Sequence, residues 1–147
     1  VLRRRLPECR TRDTLLPGTG GLDEAREALA GYPGLSDPGA ERLLRIYGGR
    51  AAGIAALAKT RPELAGFIDE TATLPEAEVA CVVREELPKA LTDIVFRRMM
   101  IGLGPDQGRP HYERIAAIAA AEFGWDEARR ADELRSLIAY ADSLRIS

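Results

Sequence analysis

From about residue 22 onward, apolar positions recur at helical spacing, and no segment alternates convincingly with period two. Leu22 to Leu29 predicts a short helix stopped by Gly31 and Pro33. Ser36 or Asp37 can cap a second helix, with Pro38 in its first turn, where a missing N–H costs nothing. Leu43, Leu44, Ile46 and Tyr47 form its apolar side, and Gly48 suits its C-terminal left-handed position. Arg50 to Lys59 predicts a third helix, ending before Pro62.

Thr73 and Glu76 have capping-box spacing and mark a fourth helix start, which runs to Leu87 and stops at Pro88. Thr92 can cap a fifth, ending near Gly102. After a loop of Gly104, Pro105, Gly108 and Pro110, a sixth helix places Tyr112, Ile115, Ala119 and Phe123 on one side and ends at Gly124. Asp126 caps the last, with a stripe of Ala131, Leu134, Leu137, Ile138, Ala141 and Leu144. The expected fold is all-α, a compact bundle of about six or seven helices.

The segment Leu74 to Gly102 departs from ordinary amphipathic patterning. Glu78, Arg84, Glu86 and Arg98 interrupt arcs that are otherwise apolar, whereas a surface helix segregates its charges on one face. Arg84 projects between Ala80 and Ala77, and Glu86 between Val82 and Val79, so the two cannot pair with each other. If buried, each needs its own partner, in a network inside the domain or on a neighbouring one. Asp93 and Arg97 have i,i+4 spacing, which suits a surface ion pair. The alternative is that Asp93, Arg97 and Arg98 face a partner domain. Met99 and Met100 read as core packing before a flexible partner surface.

Residues 1–21 read as a linker, with Pro7, Pro17, Gly18, Gly20 and Gly21 around a short stretch of no clear period. The chain opens at Val1 without an initiating methionine, and the expectation is a C-terminal piece of something larger. Composition adds exclusions. Apolar residues make up 46% and charged residues 30% of 147, the balance of a globular domain. With 21 basic and 23 acidic residues the net charge is −2, which offers no general attraction to nucleic acid. No apolar run spans a bilayer, and the N-terminus lacks a signal-peptide core. Cys9 and Cys81 make no disulfide framework, Cys81 reads as a small buried hydrophobe, and a reducing, cytoplasmic location is expected.

Signatures of chemistry are missing. The sequence has no G-x-G-x-x-G, Walker loop, C-x-x-C, H-E-x-x-H or G-x-S-x-G. The glycines of residues 18–21 lack the strand and spacing of a pyrophosphate cradle. His111 is the only histidine and reads as a solvated helix-start residue. No catalytic, cofactor-binding or metal-ligating residue is assigned.

Glu78, Arg84, Glu86, Leu91, Asp93, Arg97, Arg98 and Gly102 occur in an order and spacing that resembles the C-terminal helical domain of FAD-dependent, aerobic-type glycerol-3-phosphate dehydrogenases. Cys9-Arg10-Thr11, Leu15-Leu16-Pro17-Gly18 and the stretch Leu43 to Ala58 are similar to weaker blocks of that family. Pro88, Ala90 and the Met99-Met100 pair depart from its pattern, and the arginine lost there weakens any contact of this helix with substrate phosphate. The resemblance implies residues 1–21 as the tail of a preceding flavin domain and 22–147 as a non-catalytic helical cap.

The parent enzyme would oxidise sn-glycerol 3-phosphate to dihydroxyacetone phosphate with FAD and pass electrons to a quinone, at the cytoplasmic face of the membrane. This part would carry no cofactor and be inactive alone. Its partners would be the flavin and substrate domains of the same chain, with Glu78, Arg84, Glu86, Asp93, Arg97 and Arg98 as candidate interdomain contacts. Peripheral membrane contact of the parent and a homo-oligomer are both compatible with this reading. The rival is a stand-alone helical interaction or oligomerisation module, and a DNA-binding helix–turn–helix fits the acidic balance poorly.

Overall fold

The computed structural model describes residues 19–144. Among them are six α-helices and no strand: α1 (Leu22–Ala30), α2 (Asp37–Tyr47), α3 (Ala51–Thr60), α4 (Glu76–Glu86), α5 (Tyr112–Phe123) and α6 (Glu127–Ser143). The all-α bundle expected from the sequence is the fold. One core runs through it, from Ala25 and Leu29 on α1 to Leu137 and Ala141 on α6.

Helix α4 lies at the centre, packed against α3, α5 and the turn that follows it, while α6 packs along α5. Eight of the eleven α4 residues are buried. Val79, Val82 and Ala80 are essentially sealed from solvent, and fully burying each valine stabilises by roughly 1.5–3 kcal/mol. From Glu76 to Val83 the helix is wrapped on every side, and only its last turn, with Arg84 and Glu85, has a solvated face for charges. Glu76 and Glu78 are therefore buried as well.

Local signals fixed several ends. The Ser36 hydroxyl accepts the Gly39 N–H at 3.3 Å, and the Asp126 carboxylate accepts the Arg129 N–H at 2.8 Å. Gly48 and Gly124 end α2 and α5 with positive φ.

The box at Thr73 and Glu76 does not form. Asp69 takes the Thr73 N–H at 3.0 Å, along with the Leu74 N–H at 2.7 Å and the Thr73 and Thr71 hydroxyls, and the Glu76 N–H goes to the Gly66 carbonyl at 3.0 Å. The helix then begins two residues late, after Pro75, with Glu76 as its first residue. From that position its side chain cannot reach back to Thr73, and it pairs with Arg114 instead.

The expected helix from Thr92 to Gly102 is also different. Asp93–Arg98 is a π-helical turn, closed by Met99 N–H to the Ile94 carbonyl at 2.8 Å, and the chain reverses at Met100 with φ 58°. Thr92 does not cap it; the Asp93 carboxylate accepts the Lys89 N–H at 3.0 Å. Gly102 is pressed against the Phe96 ring, where a Cβ would come within 2.5 Å. Met99 is buried and Met100 half exposed. On α6 the predicted stripe is only partly used, because Ile138 and Leu144 face solvent.

Candidate functional site: buried carboxylates clipped by outer arginines

Helix α4 and its neighbours carry an ionic framework with one recurring polarity. The carboxylate points into the bundle, and a guanidinium, in every case but Glu133 from another element, reaches over it with its far side in solvent. Glu78 has no exposed side-chain surface. Arg42 on α2 grips it with bonds of 2.7, 2.8 and 3.0 Å, and the Tyr47 hydroxyl donates a further bond at 2.7 Å. Burial pushes the Glu78 carboxyl up to about 7 against the pull of Arg42 and Tyr47. Burial in turn raises the Tyr47 hydroxyl far above the usual tyrosine range, so it stays a donor.

Glu122 on α5 is shared. Arg84 from α4 binds it at 2.6 Å and Arg61 at 2.5 Å, with the acid 5% exposed and Arg84 48%. Burial acts upward on this carboxyl, but the two arginines outweigh it and hold it below the usual glutamate value. Arg114 clasps Glu76 through two bonds of 2.7 and 2.6 Å. Glu133 on α6 accepts the buried Leu91 N–H at 3.0 Å and Arg129 at 2.6 Å. Glu86 lies between Arg50 and Arg98, at 3.1 and 3.2 Å. Charge-assisted, multidentate pairs of this kind fix the relative position of helices.

The structure therefore brings the sequence-predicted residues into one framework, and each finds its partner within the chain. Arg84 and Glu86 do take separate partners. Arg97 forms the i,i+4 pair with Asp93. Burial tends to raise Asp93, yet the Lys89 N–H and Arg97 hold it below the usual aspartate value. Internal pairing removes the need for an outside partner as a physical argument. Glu78 in particular is committed to the interior, while Arg84, Arg97 and Arg98 keep exposed faces. Sequence reasoning missed Arg42, Arg50, Arg61, Arg114, Glu122 and Glu133. These sit on ordinary-looking polar faces, and nothing in local spacing distinguished them.

A cleft of about 700 Å³ is open and lined by residues that include Arg42, Asp69, Thr71, Thr73, Asp106 and His111. Its polar groups are largely occupied. Asp69 is bound to its own loop, whose hydroxyl and N–H donors outweigh the upward effect of burial and bring it down to about 2. Asp106 accepts the Gly108 N–H, and Arg42 is clamped on Glu78. Among the described residues no three His, Cys, Asp or Glu side chains are grouped to hold a metal ion. Cys81 is buried, and burial lifts its thiol to about 12, so it stays protonated as a small core residue.

The family model for the C-terminal domain of alpha-glycerophosphate oxidase matches residues 9–130. The chain belongs to this family. It is thereby a C-terminal, all-helical domain of a flavoprotein oxidoreductase family, as the residues of α4 and the π turn had suggested. Comparison with curated proteins and with solved structures found no match. The matched span takes in the ionic framework around α4 except Glu133 and stops at Arg130, in the first turn of α6. Among the described residues no helix is long and apolar enough to cross a membrane. The motifs Cys9-Arg10-Thr11 and Leu15 to Gly18 lie outside the described residues.

Proposed function

We propose that this glycerophosphate oxidase C-terminal domain is a brace for the flavin and substrate domains of an enzyme that oxidises sn-glycerol 3-phosphate to dihydroxyacetone phosphate. FAD belongs to those preceding domains and accepts the electron pair, which then passes to a quinone. The observation that carries this reading is the family match over residues 9–130. The ionic framework gives it a physical role. A bundle cross-linked by Arg–carboxylate clips is stiff, and a stiff module holds an adjoining domain edge without ordering cost. On this reading Arg84, Asp93, Arg97 and Arg98 lie at or near the contact with those domains, and the parent works at the cytoplasmic face of the membrane.

The test compares two proteins. The full-length product of the reading frame should be yellow, oxidise sn-glycerol 3-phosphate and reduce a soluble quinone analogue faster than it consumes dioxygen. The 147-residue chain should be colourless and inactive with redox dyes. Bound flavin or turnover in the 147-residue chain would overturn the bracing role. Preferential oxygen uptake by the full-length enzyme would overturn the quinone as acceptor.

A further inference from the structure

At the C-terminal end of α4 a leucine stands in the open. Leu87 is 77% exposed, more than any other large apolar side chain among the described residues. Its backbone is left-handed, with φ 46° and ψ 52°, a conformation that glycine adopts freely and leucine does not. Isolated exposed apolar side chains are commonplace. Here the chain holds the side chain outward in a strained conformation, which among the exposed large apolar residues it shares with the less exposed Met100.

The corner around it is firmly built. Pro88 and Leu91 are buried, the Lys89 N–H is bound by Asp93, and the Leu91 N–H is bound by Glu133. Leu87 is thus displayed on a fixed support.

The surroundings of the corner are cationic when viewed from solvent. Arg50, Arg84 and Arg98 are 45%, 48% and 40% exposed, whereas their acids Glu86 and Glu122 are 16% and 5% exposed. Lys89 and Arg97 add two more exposed cations, and Glu85 is the one exposed acid on this turn. Arg98 Nε makes no hydrogen bond despite lying 3.2 Å from Glu86.

We infer that Leu87 is the anchor by which this domain docks on the flavin-bearing part of its enzyme, entering an apolar pocket rimmed by carboxylates. The inference rests on the proposed function and names the contact that the bracing would use. Apolar burial supplies the attachment, and the cationic rim selects an acidic surround and fixes orientation. On this inference the strained leucine does on assembly what a glycine could not, because its side chain fills the pocket.

The experiment uses the full-length enzyme and two variants, Leu87→Gly and Leu87→Glu, with amide hydrogen exchange of residues 84–98 as readout. Glycine relieves the left-handed strain, so a purely structural corner would exchange no faster in Leu87→Gly than in the original. A docking anchor gives the opposite result: exchange rises at least tenfold in both variants, while α1 and α3 are unchanged. Unchanged exchange in a yellow, active Leu87→Glu enzyme would overturn the docking and leave the flavoprotein reading intact. A colourless full-length protein would overturn both. Self-association of the 147-residue chain that Leu87→Glu abolishes would also overturn the inference, with a second copy as the occupant.

Discussion

Helices α4 and α6 both carry many charges and use them differently. In α4, eleven residues long, the acids Glu76 and Glu78 are inside the bundle and are held by arginines from α5 and α2. In α6, seventeen residues long, only Glu133, Leu134, Leu137 and Ala141 are buried. Of its other pairs, Arg130 with Glu127 and Arg135 with Asp132 join neighbours along the helix, and Arg130 with Glu113 and Arg109 with Asp142 reach other elements, all through exposed acids. The number of ion pairs is similar, but what each is worth depends on burial and on whether it links separate elements. Exposed pairs contribute about 0–1 kcal/mol, whereas removing one partner of a buried pair costs about 3–5 kcal/mol.

The largest expected effect tests that contrast directly. Glu78→Ala leaves Arg42 and the buried Tyr47 hydroxyl without their acceptor, and the predicted loss is about 3–5 kcal/mol in chemical denaturation. Glu127→Ala on α6 removes an acid that is 76% exposed, and its predicted loss is under about 1 kcal/mol. Similar losses for the two variants would end the distinction between the helices.

Titration gives the second effect. An ordinary glutamate titrates near 4.5, and burial lifts Glu78 to about 7 in the folded protein. The fold binds this proton more tightly than the unfolded chain does, so its contribution is complete below 4.5 and is lost as pH rises through 7. Asp69 has the opposite sign: lowered from 3.8 to about 2, it contributes above 3.8 and is lost as pH falls through 2. Stability in chemical denaturation should therefore decline between about pH 4.5 and 7, by an amount on the order of 3 kcal/mol at most. Glu78→Gln should flatten that decline. A Gln variant that keeps the full slope would assign the titration to another group.

Helix α6 has one exception to its surface character, and that exception explains what the sequence could not reveal. Glu133 accepts the Leu91 N–H from 42 residues away, at the corner between α4 and the π turn. Glu133→Ala is predicted to cost about 1–3 kcal/mol, the desolvation penalty of a buried donor left unpaired. Faster exchange of the Leu91 amide is the specific check, and an unchanged amide would detach α6 from this corner.

Helix ends at Ser36, Gly48, Gly124 and Asp126 were legible because their signals are local. The π turn was not, since it depends on the Asp93 bond to Lys89 and on Gly102 lying under Phe96. The charges interrupting α4 could be identified as needing partners. Which side chains supply them could not, because Arg42 lies 36 residues before Glu78 and Glu122 lies 38 after Arg84. The false box at Thr73 shows the same limit on a shorter scale, with Asp69 four residues upstream outcompeting it.

The smallest predicted effect lies on the outer face of α6. Ile138 and Leu144 belong to the apolar stripe read from sequence, yet they are 43% and 47% exposed, and Tyr140 beside them reaches Phe96 edge-on at 5.1 Å. A side chain already half in water gives up little when shortened, so Ile138→Ser should change stability by no more than about 0.5 kcal/mol. Leu137→Ala, one residue away and fully buried, should cost about 2–5 kcal/mol because it leaves a cavity that the packed helices cannot close. The two variants measured side by side fix the rotation of α6 about its own axis. If Ile138→Ser proves as costly as Leu137→Ala, the helix is turned so that Ile138 is covered, and α6 belongs to the core on the same terms as α4.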